Sequence, residues 1–128
     1  MSLFKNLFGS DDEQKNTSNV TWNQLTDLGE LNEIITISEE KPVVIFKHST
    51  RCSISRMALK QFENQYDAQE NVVPYFLDLL KHRDISNEIA IQFNVQHQSP
   101  QILVIKDGKS VYNASHSDID ADDLKRFL

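Results

Sequence analysis

Lys41-Pro42-Val43-Val44-Ile45-Phe46-Lys47-His48-Ser49-Thr50-Arg51-Cys52-Ser53-Ile54-Ser55 runs from a turn, through four consecutive apolar residues, into a polar segment that ends at the only cysteine of the chain. Val43 to Phe46 lack in–out alternation, which suits an interior parallel strand covered on both faces. Cys52 then opens a helix that buries Ile54, Ala58, Phe62 and Tyr66, spaced four apart. A thiol at a helix N-terminus meets unpaired backbone N–H groups and the positive end of the helix dipole. Both favour the thiolate, which is the nucleophilic form. Ser55 occupies the position that holds the second cysteine of a C-x-x-C motif, so redox chemistry at Cys52 is monothiol chemistry.

Upstream of this stretch, Thr26 or Asp27 caps a helix with Leu28, Leu31, Ile34 and Ile35 on one face, and a short first strand near Val20 to Trp22 completes the sheet. Downstream, Val72 to Leu79 reads as a strand, and Asp84 or Ser86 caps a helix bearing Ile85, Ile89 and Phe93. Gln101 to Lys106 is a strong strand. Asp107-Gly108 is a hairpin turn leading into a strand around Val111 to Ala114, and Asp118 or Asp120 caps a last helix with Leu124, Phe127 and Leu128. A β-α-β unit followed by a β-β-α unit is the thioredoxin arrangement. The expectation is an α/β, thioredoxin-like fold with a mixed four- to five-stranded sheet flanked by helices.

In that arrangement the turn Ser99-Pro100, directly before the fourth strand, faces the active thiol. X-Pro bonds are cis in only about one case in twenty, but this placement predicts a cis bond. Its role is to leave the backbone of Ser99 open beside Cys52, ready to pair with an extended peptide or thiol substrate.

The 128 residues fit one domain, expected over 20–128, preceded by a mobile tail over 1–19 that is polar from Gly9 to Asn19. Leu3, Phe4, Leu7 and Phe8 form an amphipathic turn suited to docking on the domain or a partner, and too small to anchor in a membrane. No apolar run is long enough to span a bilayer, and the N-terminus lacks a secretory pattern, so a reducing cytoplasm is the expected location. A net charge of −6 argues against nucleic-acid binding. The charge is uneven, however: Lys41, Lys47, Arg51, Arg56 and Lys60 fall in a stretch without a single acid, around the thiol.

The competing reading of Cys52 is a buried structural cysteine. Its flanks, Ser49, Thr50, Arg51, Ser53 and Ser55, are polar and unsuited to a core. Arg51 and Arg56 add cationic charge that favours an anion. Ser55 has two readings, a hydroxyl donating to the Cys52 sulfur or a neutral surface residue of the first helical turn. His48, His82, His97 and His116 show no metal-ligand spacing, and no metal is expected.

Lys47 to Ser55, together with Ser99-Pro100 and the segment Val111 to His116, resembles the monothiol bacilliredoxins, the YtxJ-like proteins of the bacillithiol system. The resemblance runs from Trp22 onward and includes the opening Leu-Phe-Lys-Asn-Leu-Phe-Gly. Two residues depart from the family's usual Thr-Cys-Pro-Ile-Ser: Ser53 replaces the proline and Arg51 precedes the cysteine. The resemblance implies a Cys52 nucleophile supported by Thr50, Arg51, Ser53, Ile54, Ser55, Ser99 and Pro100. It implies S-thiolated proteins as partners and bacillithiol, a low-molecular-weight thiol with two malate carboxylates, as co-substrate. Lys47, Arg51 and Arg56 are the expected carboxylate clamps. The alternatives are a redox-inactive binding module or a single-thiol sensor. An iron–sulfur carrier is a third, disfavoured because Ser53-Ile54 stand where monothiol glutaredoxins have Gly-Phe.

Overall fold

The structure, a computed structural model, describes residues 19–128 apart from the side chain of Gln69. The expected tail and its apolar turn therefore lie outside the described residues up to residue 18. The elements run β1 (Asn23–Gln24), α1 (Glu30–Ile37), β2 (Val43–His48), α2 (Ser53–Gln65), β3 (Val73–Asp78), α3 (Arg83–Gln92), β4 (Gln101–Lys106) and β5 (Lys109–Ser115), with 3₁₀ turns at Gln69–Asn71, His116–Asp118 and Ala121–Phe127. The sheet order is β1-β3-β2-β4-β5. β1, β3 and β2 are mutually parallel, and β4 and β5 join antiparallel.

Every residue of β2 is buried, as its unbroken apolar run requires of a central strand. Alternation sends Val43 and Ile45 to one face, where Leu31, Ile34, Ile85 and Ile89 of α1 and α3 cover them. Val44 and Phe46 go to the other face, under Phe62 and Leu124. Asp107 and Gly108 have φ values of 51° and 76°, the conformation of a tight two-residue hairpin. The hairpin is tied to the turn after α1, because Asp107 N–H donates to Ser38 O and Gly108 N–H to Ser38 Oγ.

Several expected boundaries shift for identifiable reasons. The first strand is Asn23–Gln24, because Trp22 turns inward against Phe46, Phe62 and Phe76 before the ladder begins. Leu28 precedes α1 and is exposed. α3 starts at Arg83 behind His82, so Asp84 and Ser86 lie inside the helix and do not cap it. The last helix is a 3₁₀ segment, with Asp120 Oδ1 accepting from Asp122 N–H at its start. The inward stripe of α2 holds Ser55 and Phe62, leaving Ile54 57% exposed.

Candidate active site

Cys52 sits where β2 hands over to α2. The chain turns after His48, with Cys52 N–H donating to Ser49 O at 3.2 Å. Cys52 is extended (φ −110°, ψ 122°) and forms the N-cap of α2, its carbonyl accepting from Arg56 N–H at 3.1 Å. The residue is partly exposed. The first turn of α2 contains no acidic residue, so its free N–H groups and positive dipole end favour negative charge at this position. Thr50, Arg51, Ser53 and Ile54 are all exposed around it. Arg56 reaches back to brace the turn, donating from Nη1 to Thr50 O at 3.2 Å.

Ser55 fits neither of its expected readings. It is fully buried, and its hydroxyl is bonded to His48, not to the Cys52 sulfur: Oγ lies 2.7 Å from His48 Nδ1 and accepts from Ser49 N–H at 3.1 Å. The hydroxyl, with one proton and two lone pairs, can accept from Ser49 N–H and still bond His48 Nδ1 in either tautomer of the ring. Burial pushes the His48 pKa below its usual value, opposed by the negative charge of Asp78 and reinforced by Arg56, which favours the neutral ring. Sequence reasoning missed this role for His48. Nothing in a run of polar turn residues says which of them folds back beneath the helix.

The Ser99–Pro100 bond is cis, as its place before the fourth strand implied. Lys47 pairs with Gln101 across the antiparallel β2–β4 ladder, so the segment before β4 and the segment after β2 emerge at one end of the sheet. Pro100 is buried, and its carbonyl accepts from His116 N–H at 3.0 Å. Ser99 Oγ is buried without a hydrogen-bond partner among the described residues.

Lys47 corrects the sequence expectation most clearly. An exposed carboxylate clamp was expected, but its side chain is fully buried on the face of the sheet opposite His48. Nζ lies 2.8 Å from His97 Nδ1 and donates to Gln101 Oε1 at 3.0 Å. Burial lowers its pKa from 10.5 to about 8. Of the three expected clamps only Arg51 and Arg56 present their side chains to solvent.

A groove of about 180 Å³ runs along α2, with Ile54, Met57 and Gln61 on one wall and His116, Ser117 and Ile119 on the other. Ile54 and Met57 are 57% and 70% exposed, an apolar pair at the rim. Among the described residues no cluster of three or more His, Cys, Asp or Glu is placed to hold a metal ion. No helix among them is long and apolar enough to cross a membrane.

A sequence profile of the monothiol bacilliredoxin BrxC family matches residues 23–124. The chain belongs to that family. The fold of this bacilliredoxin is that of thioredoxin. A solved structure described as having a thioredoxin fold is 34% identical, covers 80% of this chain and 89% of its own, and superposes with a TM-score of 0.69. Malassezia sympodialis thioredoxin (18% identity; 85% of this chain and 89% of that one; TM-score 0.65) and mitochondrial thioredoxin 3 of Saccharomyces cerevisiae (20%; 82% and 91%; 0.63) share the fold. The family and the fold together make this bacilliredoxin a thiol–disulfide redox protein.

Proposed function

We propose that this bacilliredoxin removes small-thiol caps, of the bacillithiol type, from protein cysteines by exchange at Cys52 in a reducing cytoplasm. The Cys52 thiolate attacks the small-thiol sulfur of a mixed disulfide. The old S–S bond breaks as the new one forms, and the substrate cysteine leaves as a thiolate that takes a proton from water. There is no net oxidation; the cap has moved to Cys52. With no second cysteine in the chain to resolve it, a further small-thiol thiolate attacks the capped Cys52 and leaves as a symmetrical disulfide with the cap.

The observation that carries this reading is the position of the chain's single thiol: partly exposed, at the N-cap of α2, with no acid in the first helical turn. Arg51 and Arg56 supply exposed guanidinium groups suited to the two carboxylates of a malate-bearing thiol. The Ile54–Met57 rim gives the residues flanking a capped cysteine an apolar surface to rest on.

Incubation of the reduced protein with bacillithiol disulfide, followed by intact-mass measurement, tests the reading. One adduct is expected on the wild type and none on Cys52→Ser. A capped reporter protein should lose its cap at a rate that follows thiolate formation, read from the pH dependence of alkylation. Absence of an adduct under conditions that modify a known exchanger overturns the proposal and leaves the binding-module reading.

A further inference from the structure

We propose that Lys47 is a positioning residue for polypeptide substrates, holding from inside the sheet the segment that presents the Ser99–Pro100 edge beside Cys52. The inference rests on the exchange reading above and adds a determinant of which disulfides are taken.

Lys47 is buried one residue from the end of the central strand, and no carboxylate among the described residues is bonded to it; its two bonds go to neutral groups, His97 Nδ1 and Gln101 Oε1. Burying a charge in this way is costly, and an apolar residue of similar volume would fill the site more cheaply. Val43 and Ile45, on the same face of the same strand, do so. What the ammonium adds is direction. Gln101 carries the tie onward, because its Oε1 also accepts from Gln98 N–H at 3.3 Å and its Nε2 donates to Gln96 O at 3.1 Å. One ammonium and one amide thus fix positions 96, 97, 98 and 101, on both sides of Ser99-Pro100. The stretch from Val95 to Pro100 has no helix or strand of its own, and the bonds to the backbone of Gln96 and Gln98 come from this Gln101 side chain. From the other side His116 N–H holds Pro100 O. His97 is exposed, so its bond to Lys47 contributes little to core packing and chiefly orients the loop.

An extended peptide pairing with the Ser99 backbone depends on the position of this segment to within a fraction of an ångström. A small symmetrical disulfide attacked by Cys52 needs no such edge. Lys47 therefore acts on the peptide part of the reaction and not on the sulfur chemistry.

The test compares wild type, Lys47→Met and His97→Ala, all as the full chain, on two substrates. One is a ten-residue peptide whose cysteine is capped by bacillithiol, and the other is bacillithiol disulfide. For Lys47→Met, kcat/KM on the peptide should fall about tenfold or more, mainly through KM, with the small disulfide affected less than about twofold. His97→Ala should lose in the same direction by less. Should Lys47→Met not fold, the exposed His97 variant decides alone by the same criterion. Unchanged peptide kinetics in the folded variants, or equal losses on both substrates, overturn the positioning role and leave the exchange reading intact. A wild type inactive on both substrates overturns the exchange reading, and this inference with it.

Discussion

Ser55 Oγ lies 2.7 Å from His48 Nδ1, joining the first turn of the Cys52 helix to the end of the strand that delivers it. The serine stands where a dithiol protein carries its second sulfur, yet its hydroxyl faces inward and closes the Ser49–Cys52 turn from beneath. Ser55→Ala removes the hydrogen-bond partner of His48 Nδ1 and the acceptor of Ser49 N–H, both partly or fully buried. Leaving such groups unpaired costs about 1–3 kcal/mol. Urea unfolding should show a loss in that range, together with a looser turn and slower cap transfer to Cys52.

The same pair gives stability an acid limb. Burial lowers the His48 pKa from 6.5, so the unfolded chain binds a proton before the folded one does. The contribution of neutral His48 is present above the unfolded value. It is lost as pH falls through about 6.5 toward the folded pKa. Denaturation midpoints measured from pH 7.5 to 5 should decline, and the decline should be shallower in His48→Phe.

Lys47 acts with the same sign in a more alkaline window. Its pKa falls from 10.5 to about 8 on folding, so between those values the unfolded chain carries more protons and stability rises with pH. Measured as a difference from Lys47→Met, which cancels the tyrosines, wild-type stability should climb between pH 8 and 10. At pH 7 the Met variant should be at least as stable as wild type, since it removes a buried charge bonded only to neutral groups. A clearly less stable Met variant at pH 7 contradicts this account.

Arg51 and Arg56 are exposed beside Cys52, and Arg56 also holds Thr50 O. An Arg51→Ala, Arg56→Ala double change should reduce the rate ratio between a dicarboxylate small disulfide and a neutral one such as cystamine's uncharged analogue, hydroxyethyl disulfide. Raising the salt concentration should shrink the wild-type ratio in the same way, because the charges involved are solvent-exposed. Identical ratios in wild type and the double variant would remove the clamp.

Gly108 takes φ 76° in the hairpin, and a Cβ there would sit 3.3 Å from Ile35 Cγ2. Gly108→Ala combines a disfavoured backbone conformation with a tight contact against α1, and should cost about 1 kcal/mol or more. Thermal unfolding checks this, and cap transfer at 25 °C should be unaffected, since the hairpin lies at the opposite end of β4 from Pro100.

Much of the architecture was legible because its signals are local. Four apolar residues before a polar turn mark an interior strand, Asp107-Gly108 marks a hairpin, and Ser99-Pro100 directly before Gln101 marks the cis turn. Boundaries were less legible where packing overrides pattern. Trp22 leaves the expected first strand for an aromatic cluster, and Ile54 faces solvent because Ser55 takes the inward position on α2.

By itself the sequence determined the order of elements, a helix opening at the single thiol and the absence of a second one, all written in adjacent residues. Only the tertiary structure decided what Lys47, His48 and Ser55 do. A strand buried on both faces has no polar side to reveal which way consecutive residues point. The partners that complete the pattern, His97 and Gln101 for Lys47, lie about fifty residues away in the chain and meet it only through the β2–β4 ladder.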